Sequence, residues 1–179
     1  MTFIITRSGV RFDVVNPRPE DVRLEDIVHS LSHLCRFVGH TDRFYSVAEH
    51  SVLVSQLCDD ESAVFGLLHD AAEAYVGDLA SPVKRQVPGF AAMEERVLSA
   101  VLVGLGVPPP SAAVRARAAN ADAVALGAEA SRVAPPVADL PRHMIHQCRA
   151  LKERWGLSPL DARAEFMDRA FSLGIRGAR

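Results

Sequence analysis

The chain has 179 residues, of which 49% are hydrophobic, 23% charged and only 6% aromatic. That length and balance describe one folded domain with a sizeable core, and exclude a disordered segment. A formal net charge of -2 excludes a global basic field for gripping a nucleic-acid polymer, while leaving room for a small anionic substrate.

The N-terminus, Met1 to Arg7, has no charged region followed by a long apolar stretch, so a signal peptide is not expected. Residues 3–6 and 11–15 are β-rich and flank Ser8-Gly9, which predicts a small hairpin. After Pro17 and Pro19, the apolar residues Val22, Ile27, Leu31 and Leu34 recur at roughly helical spacing, predicting a helix from Glu20 to about Cys35. Residues 36–45 show no period and read as a loop. Ser46-Val47-Ala48-Glu49 fits a capping box and opens a helix through about Cys58. A third helix is expected from about Glu61 to Tyr75, ending near Gly77. Ser81-Pro82 reads as an N-cap followed by proline, starting a short helix. An amphipathic helix follows over 90–105, with Met93, Val97, Val101 and Leu105 on one stripe. Pro108-Pro109-Pro110-Ser111 breaks it and caps a long Ala-rich helix to about Val133. Another helix is expected over 143–154, and Ser158-Pro159 opens a last one to about Leu173. The expectation is one all-α domain over residues 1–179, a bundle of about seven helices with a small N-terminal β-hairpin.

No window is long and apolar enough to span a bilayer, so no membrane partner is expected. Cys35, Cys58 and Cys148 are far apart, odd in number and without a CxxC pair. They read as reduced thiols of a cytoplasmic protein rather than a disulfide framework or zinc ribbon.

The chemistry gathers on four residues: His50, the doublet His69-Asp70, and Asp122. Each has apolar neighbours three and four positions away in its predicted helix. A lone histidine in that setting reads as a hydrogen-bonded core residue. An ionised aspartate there needs a partner. Taken together, two imidazoles and two carboxylates make a mixed nitrogen–oxygen donor set suited to Mn, Fe, Co or Zn rather than Ca. Such an ion lowers the pKa of a water and polarises phosphorus. Glu73 is four residues after His69 and three after Asp70, so it shares their face.

The order His50, His69-Asp70, Asp122 resembles the H…HD…D pattern of the HD-domain phosphohydrolases. The carrying stretches are Ser46 to Ser51, Leu68 to Leu79, Ser81 to Lys84, and Ala121 to Ala123. They span about residues 30 to 125. The extended pattern HDxxExxxGD, between an EHS and a later AD, is most similar to the YfbR-like 5′-deoxynucleotidases and the related phage dATP triphosphohydrolases (DatZ-like). The resemblance implies an HD-domain bundle holding one divalent transition metal on His50, His69, Asp70 and Asp122. It implies a catalytic, proton-handling Glu73 and a phosphate-contacting Arg36. It also implies that Asp78 contacts the nucleoside. Phe37 stands where the 5′-deoxynucleotidases carry a tryptophan against the sugar. Apart from the resemblance, Lys84 is expected either to add charge near phosphate or to stand as a surface lysine, and His33 is expected to line the pocket near Arg36. The implied activity is hydrolysis of a free deoxynucleoside monophosphate to deoxynucleoside and phosphate. The alternatives are a triphosphohydrolase releasing triphosphate from dATP or another dNTP, with Mg accompanying the substrate, and a non-catalytic nucleotide-sensing module. The implied assembly is a homo-oligomer in the bacterial cytosol, or in the host cytosol for a phage-encoded protein.

Overall fold

In the computed structural model, residues 2–133 and 155–177 are described. The predicted helix over 143–154, with His143, His146 and Cys148, lies outside them.

Strands β1 (Phe3–Ile5) and β2 (Arg11–Asp13) pair antiparallel, with Ile4 opposite Phe12. The Ser8 backbone N–H and hydroxyl both donate to the buried Asp26 carboxylate, at 2.8 and 2.6 Å. This pins the hairpin turn to α1 (Leu24–His33). The predicted helix from Glu20 begins late. A 3-10 turn over Pro19–Asp21 ends at Val22, whose extended backbone separates it from α1.

Helix α2 (Val47–Leu57) is the axis of the bundle. Every residue from Val47 to Ser55 is buried, the mark of a helix surrounded by others rather than lying on a surface. It packs against α1, α3 (Ala63–Leu68), α7 (Ala112–Arg132) and α8 (Pro159–Ser172). Its polar residues are satisfied internally. Ser51 donates to the Val47 carbonyl, and Ser55 donates to the Ala63 carbonyl while accepting from Arg169. The capping box forms as its sequence predicts: Ser46 accepts from the Glu49 N–H and Glu49 accepts from the Ser46 N–H. The Glu49 carboxylate also accepts from the N–H groups of Gly156 and Leu157, both at 3.1 Å, and is itself buried. One side chain therefore closes the start of α2 and fixes the approach to α8.

The third predicted helix is not continuous. It divides into α3 and the single turn α4 (Glu73–Val76). Across the join the hydrogen bonds run three residues back: Ala71 to Leu68, Glu73 to Asp70 and Tyr75 to Ala72. This tighter 3-10 winding eclipses residues three apart.

The single turn α5 (Ser81–Lys84) is capped by Ala80 rather than Ser81, and no side chain caps it. Helix α6 (Phe90–Gly104) buries Val97, Leu98, Ala100, Val101 and Leu102. Ser111 and Ser158 cap α7 and α8 with their hydroxyls. On α8 the core side is Ala162, Phe166 and Ala170, while Leu160 and Phe171 are 74% and 55% exposed. The architecture is thus an all-α bundle with a two-stranded N-terminal sheet. Among the described residues, no helix is long and apolar enough to cross a membrane.

Glu49→Ala removes the acceptor for three backbone N–H groups at once. The expected loss of unfolding free energy is about 3 kcal/mol or more, measured by urea denaturation.

Candidate metal centre

His50 projects from the first turn of α2, His69 and Asp70 from the join after α3, and Asp122 from the middle of α7. The two imidazole Nε2 atoms are 3.3 Å apart. Asp70 Oδ2 is 3.4 Å from the first and 3.2 Å from the second. Asp122 Oδ1 is 3.2 Å from His50 Nε2. Ligand atoms of His50, His69 and Asp122 all lie within 4.8 Å of one another, a group able to hold a metal ion.

Two local devices bring the histidines together. Gly66 lets α3 approach α2 closely: a Cβ there would sit 2.7 Å from Cys58 Sγ and 3.3 Å from the Ser55 backbone. The Gly66 carbonyl then accepts from His69 Nδ1 at 2.8 Å. On the other side, the Glu129 carboxylate accepts from His50 Nδ1 at 2.6 Å. Both Nδ1 atoms face groups that only accept, so both carry hydrogen and both Nε2 atoms are turned to the shared centre.

Glu129 is fully buried on α7. It also accepts from the Tyr45 hydroxyl at 3.0 Å and pairs with Arg36 Nη2 at 3.2 Å. Arg36 Nη1 lies 3.7 Å from Asp70 Oδ2. Burial disfavours the Glu129 charge, yet His50, Arg36 and Tyr45 hold its carboxyl down to about 2. Burial and Arg36 likewise oppose a charge on His50, but Glu129, Asp122 and Asp70 raise its pKa well above the usual range. The surroundings therefore draw positive charge to His50 Nε2, the point where the two carboxylates and the second imidazole meet. Desolvation disfavours the charge on the half-buried Asp70, yet His69 and His50 hold its carboxyl well below the usual range.

Glu73 follows Asp70 by three residues, near enough for the Asp70 charge to act on it. Burial first, then Asp70 and Asp78, raise its pKa to about 9, against the pull of Lys84 and Arg36. Its Oε2 is buried with no hydrogen-bond partner among the described residues, and so is Arg36 Nε.

Two cavities meet there. One, of about 410 Å³, is lined by Arg36, Phe37, Asp78, Ser81 and Lys84 among others. The other, of about 310 Å³, lies toward α6 and α7 and includes Phe65, Glu94 and Arg115. Asp70, Glu73, Lys84 and Asp122 border both. Phe37 and Val38 hold φ of 55° and 54°, left-handed values that are strained for these residues. They carry the Arg36 guanidinium to 5.5 Å from the Phe37 ring centre.

His33 lines neither cavity and is corrected here. At the last turn of α1 its Nδ1 turns back to the His29 carbonyl at 2.7 Å, and its ring lies exposed against His29. Glu129 and Tyr45 are the residues of the centre to which the sequence reading gave no role. A signal for Glu129 was present: it follows Asp122 by seven residues, two helical turns along the same face.

No family model matches the chain. It is similar to the uncharacterized protein YfdR of Escherichia coli, 45% identical over 109 residues, which are 61% of each chain. The matched part thus spans about three-fifths of that relative's length. It is also similar to the uncharacterized protein RCAP_rcc00048 of Rhodobacter capsulatus, 38% identical over 138 residues, 71% of this chain and 70% of that protein. The chain belongs to the family of these proteins.

The sign of the Glu129 effect on stability follows from its depressed pKa. The usual value is 4.5 and the folded value about 2, so its contribution is complete above 4.5 and is lost as pH falls toward 2. In metal-free protein, Glu129→Gln should lower stability by about 3 kcal/mol at neutral pH. The gap to the unsubstituted protein should close between those two pH values in urea denaturation.

Proposed function

We propose that this protein is an HD-domain, metal-dependent phosphohydrolase acting on free deoxynucleoside monophosphates in the cytosol, as a homo-oligomer. The observation that carries the proposal is the pair of imidazole Nε2 atoms 3.3 Å apart, each within 3.4 Å of Asp70 Oδ2, with both Nδ1 atoms held by acceptors. Such an arrangement suits a cation shared by two nitrogen and two oxygen ligands: His50, His69, Asp70 and Asp122. The donor types favour Mn, Fe, Co or Zn.

When bound, such an ion supplies Lewis acidity toward a phosphoryl oxygen and makes a water reactive at neutral pH. The chain's own residues do the rest. Arg36, which lines the 410 Å³ cavity, offers its guanidinium to phosphate oxygens in a geometry that suits that group. Glu129 keeps Arg36 and His50 in place from behind. Glu73, raised to about 9, stands protonated at neutral pH before the ion binds. It borders both cavities, positioned to hold or transfer a proton there. Phe37 and Asp78 line the cavity on the Arg36 side, where a sugar and its substituents would lie. An apolar ring against the sugar leaves a 2′-hydroxyl without a partner and so favours the deoxy form.

Metal-loaded protein should release inorganic phosphate from dAMP faster than from AMP. Triphosphate from dATP would instead select the triphosphohydrolase chemistry. No turnover with Mn, Co or Zn on any nucleotide would reject the enzyme reading and leave a nucleotide-sensing module. Asp122→Ala should abolish tight metal binding in calorimetry while retaining a helical spectrum. Glu73→Ala should keep the metal and lose turnover by about 100-fold or more; loss of metal would make Glu73 a ligand instead.

A further inference from the structure

Lys84 occupies an unusual position: it borders both cavities, beside Asp70, Glu73 and Asp122. It stands on α5, a single four-residue turn. Nothing in so short an element fixes a long, flexible side chain, whose rotamer freedom is among the largest of any residue.

The anchor comes from α6. Glu94 Oε1 accepts from Lys84 Nζ at 2.8 Å, and the Glu94 side chain is 16% exposed. The Phe90 ring centre lies 5.8 Å from the same nitrogen. Phe90 and Glu94 are four residues apart, so one face of the first turns of α6 presents both. By contrast, Glu73 Oε1 is 3.9 Å from Lys84 Nζ, beyond hydrogen-bond range. The ammonium has three donors. Glu94 takes one and draws the group to the boundary between the cavities, where the others can meet a ligand.

We propose that Glu94 is a positioning residue, with Phe90 beside it, that holds the Lys84 ammonium where a phosphoryl oxygen of the substrate binds. The proposal rests on the phosphohydrolase reading for its ligand, but the placement of Lys84 is a separate matter. A pair of this kind on an open surface would contribute little. Here it lies at the border of two cavities and acts through its lysine. Glu94 also lines the 310 Å³ cavity; the effect assigned to it here passes through the Lys84 ammonium it holds.

The test is a double-mutant cycle on metal-loaded protein with dAMP. Glu94→Ala should lower kcat/KM by about 10- to 100-fold, and Glu94→Gln, which keeps an acceptor in the same place, should recover most of the loss. In a Lys84→Met background, Glu94→Ala should cost nothing further. Fully additive losses would overturn the proposal. So would equal losses in Glu94→Gln and Glu94→Ala accompanied by a matching fall in urea stability. A crystal structure of Glu94→Ala decides the placement independently of catalysis. Lys84 Nζ should leave the boundary; an unmoved ammonium overturns the proposal even if dAMP is hydrolysed. A protein that turns over no nucleotide, yet whose Lys84 moves in the variant, would refute the phosphohydrolase reading and retain Glu94 as the anchor of Lys84.

Discussion

A carboxylate with no exposure to water has to be surrounded by donors, and Glu129 is surrounded by three: His50, Tyr45 and Arg36. Each comes from a different place in the chain, the first turn of α2 and the two ends of the loop before it. Burying this charge alone would be prohibitive. With its partners it ties the loop, the axial helix and α7 into one arrangement. The same contacts set the tautomer of His50 and the direction of Arg36. Stability and site geometry therefore depend on the same atoms, and neither can be altered without the other.

The second element of the centre depends on backbone winding rather than charge. An ordinary α-helix through residues 63–76 would already put Asp70 and Glu73 near one face, and the bonds three residues back after Leu68 wind the chain more tightly. Burial of Glu73, and then the Asp70 charge near it, raises the pKa of the later carboxylate. Gly66, one turn earlier, sets how near this turn comes to α2. A small residue and a local change of pitch thus determine the separation of two imidazoles that are 19 positions apart in sequence.

Much of this was legible in the sequence, and for local reasons. The capping box at Ser46 and Glu49, and the caps at Ser111 and Ser158, are short-range signals, and all three form. The hairpin around Ser8-Gly9 and the all-α class follow in the same way. His50, His69, Asp70 and Asp122 stood out because polar groups among apolar neighbours require an explanation, and the structure brings them together. The failures have a common character. The division of the third helix depends on the packing of α3 against α2, which no local pattern encodes. Residue types alone place His33 near Arg36, but its ring bonds back onto its own helix. The added role of Glu49 toward Gly156 and Leu157 crosses more than a hundred residues. Glu94 belonged to an amphipathic stretch whose polar side looked like ordinary solvated surface. Its partner, Lys84, is ten residues away on another element.

The left-handed pair Phe37–Val38 bears on how the protein would respond to selection for robustness. A β-branched residue in that region stores about 1–3 kcal/mol of backbone strain, and Val38 is 65% exposed, so little burial offsets it. Glycine at position 38 would relax the turn and make the folded state easier to reach. It would also loosen the loop that directs Arg36 and Phe37 into the cavity. Thermal tolerance and the shape of the cavity wall are therefore in opposition at this single position, and a screen for heat resistance alone would tend to loosen that wall first.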